Sequence, residues 1–307
     1  MTPSTSMRRL LALLPSFALL ACGTSPPPPA PTPVTTTNLT GAAVAPGPET
    51  PAPPVKAAVP PPPAVRSVDA ILADAIAAIG GEAAWNAHAS MRLKVELTFQ
   101  GMGISGTAER LSARADKGKP DRMLLTTDVP GTGTLRQGTD GSVFWSEDPI
   151  NGLRTLSGAE AEQARADAAW VAELRMLQLY KSIEAKNEEG PGGAKLECLV
   201  LTPQAGSPVT SCYDAKTHLQ VLVKGTHTTP QGESPFLSAI RDWTDVNGLK
   251  MPRTVDTQEG PLTFTMRLVD AKLDEPVDDK VFELPKPPAP PAAPAKGKAK
   301  AKAPAKK

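Results

Sequence analysis

The 307-residue chain is short of the residues from which most active sites are built. It has three histidines, His88, His218 and His227, and none stands at metal-ligand spacing to another histidine or a cysteine. No His-Glu-x-x-His, Gly-x-Ser-x-Gly or phosphate-loop pattern occurs. No metal, cofactor or catalytic set is therefore expected, and the reading is of a protein that is not an enzyme. Aromatic residues make up only 4% of the chain. No apolar run is long enough to cross a bilayer as a helix; the longest, Leu10–Ala21, has twelve residues. The formal charge of +1 hides an asymmetry. Seven lysines and no acid follow Glu283, and the body between the termini carries about −8. A mildly acidic body argues against a nucleic-acid surface.

Proline, by contrast, is abundant and clustered. Of 35 prolines, 15 lie in residues 24–64 and 7 in residues 285–307. Neither stretch has the apolar content to offset its ordering entropy. The chain thus divides into a signal segment at 1–21, an anchor and Pro-rich linker at 22–66, one domain at 67–285 and a disordered basic tail at 286–307. An extended proline-rich chain rises about 3.1 Å per residue, so forty residues reach roughly 100 Å.

Arg8-Arg9 followed by Leu10–Ala21 reads as an export signal. Leu19-Leu20-Ala21-Cys22 resembles the bacterial lipobox, which implies cleavage before Cys22, a diacylglyceryl thioether on it and an acylated amino terminus. At about 0.8 kcal/mol per buried CH₂, two or three chains anchor a protein stably to a membrane. Gly23, where inner-membrane retention uses aspartate, favours an outer-membrane lipoprotein facing the periplasm. In that oxidising setting Cys198 and Cys212 form an even pair. Both lie in strands flanking Pro203–Pro208, and a hairpin centred on residue 205 makes them direct neighbours. A disulfide is the expectation; two small buried thiols are the alternative.

Within the body, Ser67 caps a helical stripe of Val68, Ile71, Leu72, Ala75, Ile76 and Ile79, which Gly80-Gly81 stops. Trp85 is expected under a short following turn of helix. From Met91 the period changes to two, with Leu93, Val95 and Leu97 on one face. Ser157-Gly158-Ala159-Glu160 fits a capping box, opening a second long helix to about Lys181 with Ala166, Trp170, Leu174 and Leu177 as its seam. Strands return after Gly193, and the last alternates strictly through Leu262, Phe264, Met266 and Leu268. About eleven strands and two long helices make an α+β domain, in which an antiparallel sheet covers its apolar face with helices. Asp140, Asp214, Asp242 and Asp245 are read as turn or strand-end residues bonding their own backbone.

The order of elements resembles a known family. Asp140-Gly141-Ser142-Val143-Phe144-Trp145 is similar to its "DG…W" hairpin, and Tyr213–Leu219 to its "D…T.L" segment. Asp242–Pro252 is similar to "D…v.G…P", and Phe282-Glu283-Leu284-Pro285 to the closing "F..P". Together they resemble the LolA/LolB-like superfamily of outer-membrane lipoprotein-sorting proteins. The resemblance implies an open antiparallel β-barrel closed by helices, with an apolar cavity that receives lipid or lipoprotein acyl chains. The lipid anchor is nearer the LolB receptor arrangement than the soluble LolA carrier. Leu93, Val95, Leu97, Phe264 and Met266 are the candidate acyl-chain-binding residues. The alternative is a non-catalytic adaptor or sensor bridging envelope layers, with Lys296–Lys307 on anionic envelope polymers.

Overall fold

The computed structural model describes residues 64–286. The signal segment, Cys22, the linker up to residue 63 and the tail from residue 287, with Lys296–Lys307, lie outside the described residues. Among the described residues no helix is long and apolar enough to cross a membrane.

Two helices lead, α1 (Val68–Ala78) and α2 (Glu82–Asn86). Ser67 caps α1 as expected, its hydroxyl accepting from the Ala70 amide. Gly80 turns the chain at φ +118°, and a side chain there would also meet the Gly248 carbonyl at 2.7 Å. Trp85 is buried within α2, and its indole donates to the Ile79 carbonyl at 3.1 Å.

A first meander follows: β1 (Ser90–Phe99), β2 (Ile104–Ala113), β3 (Arg122–Val129), β4 (Gly133–Thr139), β5 (Phe144–Asp148) and β6 (Gly152–Thr155). Helices α3 (Gly158–Ala168) and α4 (Ala172–Leu179) interrupt it. A second meander then runs through β7 (Ser182–Glu189), β8 (Lys195–Thr202), β9 (Val209–Asp214), β10 (Gln220–Thr229), β11 (Gly232–Val246), β12 (Leu249–Glu259) and β13 (Leu262–Leu273). The two meanders join through antiparallel pairing of β1 with β13. All thirteen strands form one sheet whose ends are β6 and β7, so it is open and does not close on itself.

Three expectations need correction, whereas the strand count agrees roughly: thirteen against about eleven, with β6 and β7 added. Both are edges: β6 has four residues, and β7 (SIEAKNEE) is heavily charged, two devices that blunt a free edge. The long helix after Ser157 is two helices, because Ala169 and Val171 take extended backbone around a buried Trp170. Leu177 then falls off the seam and is 63% exposed. Finally, Ser157 makes no side-chain cap, and Glu160 instead takes both oxygens to the Arg154 guanidinium at 2.8 Å.

The turn aspartates behave largely as read. Asp140 accepts from the Ser142 and Val143 amides, Asp214 from Lys216 and Thr217, and Asp245 from Gly248. These bonds to the charged form hold the Asp214 carboxyl below its usual range. Asp242 differs, sitting inside β11 at a register shift against β12. At the end of the domain Phe282 is fully buried, and its carbonyl accepts from the indole of the equally buried Trp145 at 3.1 Å.

Candidate functional site

The helices cover one face of the sheet. Helix α1 places Ile71, Leu72 and Ala75 on Leu199, Leu201 and Tyr213 of β8 and β9, with Met176 of α4 in the same cluster. Trp170 joins the two helical pairs: its indole donates to the Trp85 carbonyl at 3.2 Å, and the rings meet edge to face at 6.4 Å. Helix α3 reaches both meanders, touching β5 and β10. Arg165 stands over the Phe144 ring, and Gln163 accepts from the Thr228 amide.

Beneath α3 and α4 a cavity of about 390 Å³ remains. That lies at the low end of the ~300–1,000 Å³ range of small-molecule sites. Its apolar wall is made by Met176, Val223, Ile240, Val255 and Met266 among others. The register explains the wall. Leu97, Met266, Val255 and Ile240 stand opposite one another across β1, β13, β12 and β11, a single row on one face. The cavity begins within that row: Met266, Val255 and Ile240 line it, whereas Leu97 is buried in a core cluster with Phe99, Val129 and Phe264.

The five candidate residues are therefore divided. Met266 lines the cavity wall and also packs against the neighbouring core cluster. Leu97 and Phe264 are in the neighbouring core cluster, with Val95 packed against it. Leu93 packs against a different cluster, around Trp85, Trp170 and Leu249. Leu97 also edges a second, more open depression of about 710 Å³ beside β1–β4, which Glu96, Thr98, Asp128 and Pro130 help to line.

The opposite side of the cavity is polar, and sequence patterning did not single it out. His227 and Asp167 line it. His227 stacks on Phe236 with ring centres 3.9 Å apart, and its Nδ1 lies 2.9 Å from a buried Glu259 oxygen. Asp167, on α3, is surrounded by protein yet remains exposed, because the surface it exposes faces the cavity. What acts on it among the described residues is charge at a distance, from His227, Arg110 and Glu259, with no hydrogen bond. Burial raises its pKa, against the attraction of His227 and Arg110. The Tyr180 phenol is pushed up to about 12 by burial and by Asp167. No local signal marked His227, because burial does not alternate along β10.

Cys198 and Cys212 are paired in register across β8 and β9 and form a disulfide, with their Cα atoms 4.0 Å apart. It lies in a small core cluster with Leu196. Its sulfurs approach the Glu188 carboxylate, but a disulfide does not offer the thiolates that a metal site needs.

The sequence matches no family model and no curated protein. Solved structures do match. A DUF1329 family protein from Desulfovibrio piger aligns over 70% of this chain and 97% of its own, with a TM-score of 0.51 at 13% identity. A putative outer membrane lipoprotein-sorting protein domain from Vibrio parahaemolyticus aligns over 69% of this chain and 94% of its own, at a TM-score of 0.49 and 11% identity. LolA superfamily protein NE2245 from Nitrosomonas europaea aligns over 71% and 98%, at 0.48 and 14%. At 13% identity, what the chain has in common with the DUF1329 protein is the fold.

Proposed function

We propose that this is a binding protein of the bacterial envelope that takes lipid or lipoprotein acyl chains into the cavity beneath α3 and α4. One observation carries the reading: a roofed space with an apolar wall persists between helices and sheet, where packing would otherwise fill it. Met176 and Met266 in that wall suit a flexible guest, because unbranched thioether side chains adapt to it. The volume suits a single chain better than the several chains of a lipoprotein anchor. Export and a lipid on Cys22 would hold the domain at a membrane, most simply the outer one, on a long tether. A role in lipoprotein sorting or outer-membrane lipid handling follows from that placement. Mass spectrometry of the protein purified from its membranes tests the reading. Stoichiometric co-purifying lipid is expected, and a preparation free of lipid that also binds no added acyl chain would overturn it.

A further inference from the structure

The polar side of the cavity has a definite chemistry. Among the described residues its lining includes two carboxylates, Glu162 and Asp167, one imidazole, and no lysine or arginine. Glu162 is paired with Arg165 on its own helix. Glu259, behind His227, is occupied by the ring nitrogen. Asp167 is different: its carboxylate faces the cavity without a hydrogen-bond donor among the described residues. Arg110, whose charge attracts it, gives its Nε to Ser112 Oγ at 3.0 Å and one Nη to the Ala169 carbonyl at 3.2 Å, and forms no ion pair with Asp167.

Asp167 is exposed to the cavity, where water can serve it, but a ligand that displaces that water leaves the carboxylate without a partner unless its own head donates. The apolar wall and this unfilled acceptor face one space. We propose that the cavity's ligand is a single-chain amphiphile whose head is a hydrogen-bond donor, an ammonium above all, seated on Asp167 with its chain along Met266, Val255 and Ile240. This rests on the acyl-chain reading and adds the class of headgroup. A fatty-acid carboxylate would bring a second negative charge against Asp167, and like charges at contact disfavour each other. An ammonium would bring it three donors and the opposite charge.

Calorimetric titration of the full chain at pH 7 with dodecylammonium, dodecanol and dodecanoate tests this. All three share one tail. The expected order is dodecylammonium tightest and dodecanoate weakest, with at least ten-fold between them, about 1.4 kcal/mol. In Asp167→Asn the preference should fall to within about two-fold while dodecanol binding is retained. If dodecanoate binds as well as dodecylammonium, or better, the headgroup assignment is overturned and the chain reading stands. If none of the three binds, the chain reading itself fails. Should Asp167→Asn not fold, the wild-type ranking decides alone.

Discussion

Met266 and Leu97 face each other across the β1–β13 pair, yet the fold treats them differently, and that difference can be measured. Leu97 is 1% exposed within a cluster of Phe99, Val129 and Phe264. Truncating such a leucine loses its transfer free energy and leaves a void, together about 2–5 kcal/mol. For a domain of this size each kcal/mol lowers Tm by about 2–4 °C, so Leu97→Ala at ~3 kcal/mol should cost roughly 6–12 °C. Met266 is half-buried against the cavity. Met266→Gln nearly conserves volume, and in an accessible cavity water can serve the new amide, for a cost of about 1 kcal/mol or roughly 2–4 °C. In a sealed core the same change would add an unsatisfied amide, worth ~1–3 kcal/mol, to the lost transfer term. Thermal melts of both variants, with dodecanol titration of Met266→Gln, give the answer. A small melt shift with weakened binding is expected. A Met266→Gln loss as large as that of Leu97→Ala, with binding unchanged, would refute the open cavity.

Three further outcomes are expected. Thiol titration of denatured, unreduced protein should find neither Cys198 nor Cys212 free; reduction should destabilise the domain by up to ~3 kcal/mol, the chain-entropy value for a loop of about fifteen residues, read by urea melts with and without reductant. Asp167 has a folded pKa raised by burial, so its ionisation opposes folding above the unfolded pKa near 3.9. Asp167→Asn should therefore raise Tm of ligand-free protein at pH 7, with the gain shrinking to nothing below about pH 4; a variant less stable than wild type at pH 7 would show that the carboxylate has a partner. Cys22→Ala should abolish metabolic palmitate incorporation, and equal labelling of variant and wild type would remove the anchor.

Local pattern carried most of the elements. The 3.6 period of Val68–Ile79 with Ser67 before it, and the alternation of Met91–Phe99 and Leu262–Leu268, are short-range facts, and each formed as read. So did the hairpin centred on residue 205: a short loop and a two-residue side-chain period dictate which cysteine faces which. The turn aspartates needed only their own next two or three amides. Where the sequence alone misjudged, the deciding force came from elsewhere in the chain. The charged β7 carries no strand pattern, and β8 recruits it by pairing along its whole length. The helix after Ser157 breaks where Trp170 turns inward to meet Trp85, some eighty-five residues away in sequence. The pairing of β1 with β13, across the entire domain, is what makes one sheet of two meanders. The cavity exists only after that: Asp167 from α3 and His227 from β10 face Met266 from β13, and no spacing in the sequence brings those three residues to one space. Periodicity tells which face of a strand turns inward, but whether that face meets a packed side chain or a void depends on how far the covering helices stand from the sheet, a property of the assembled structure.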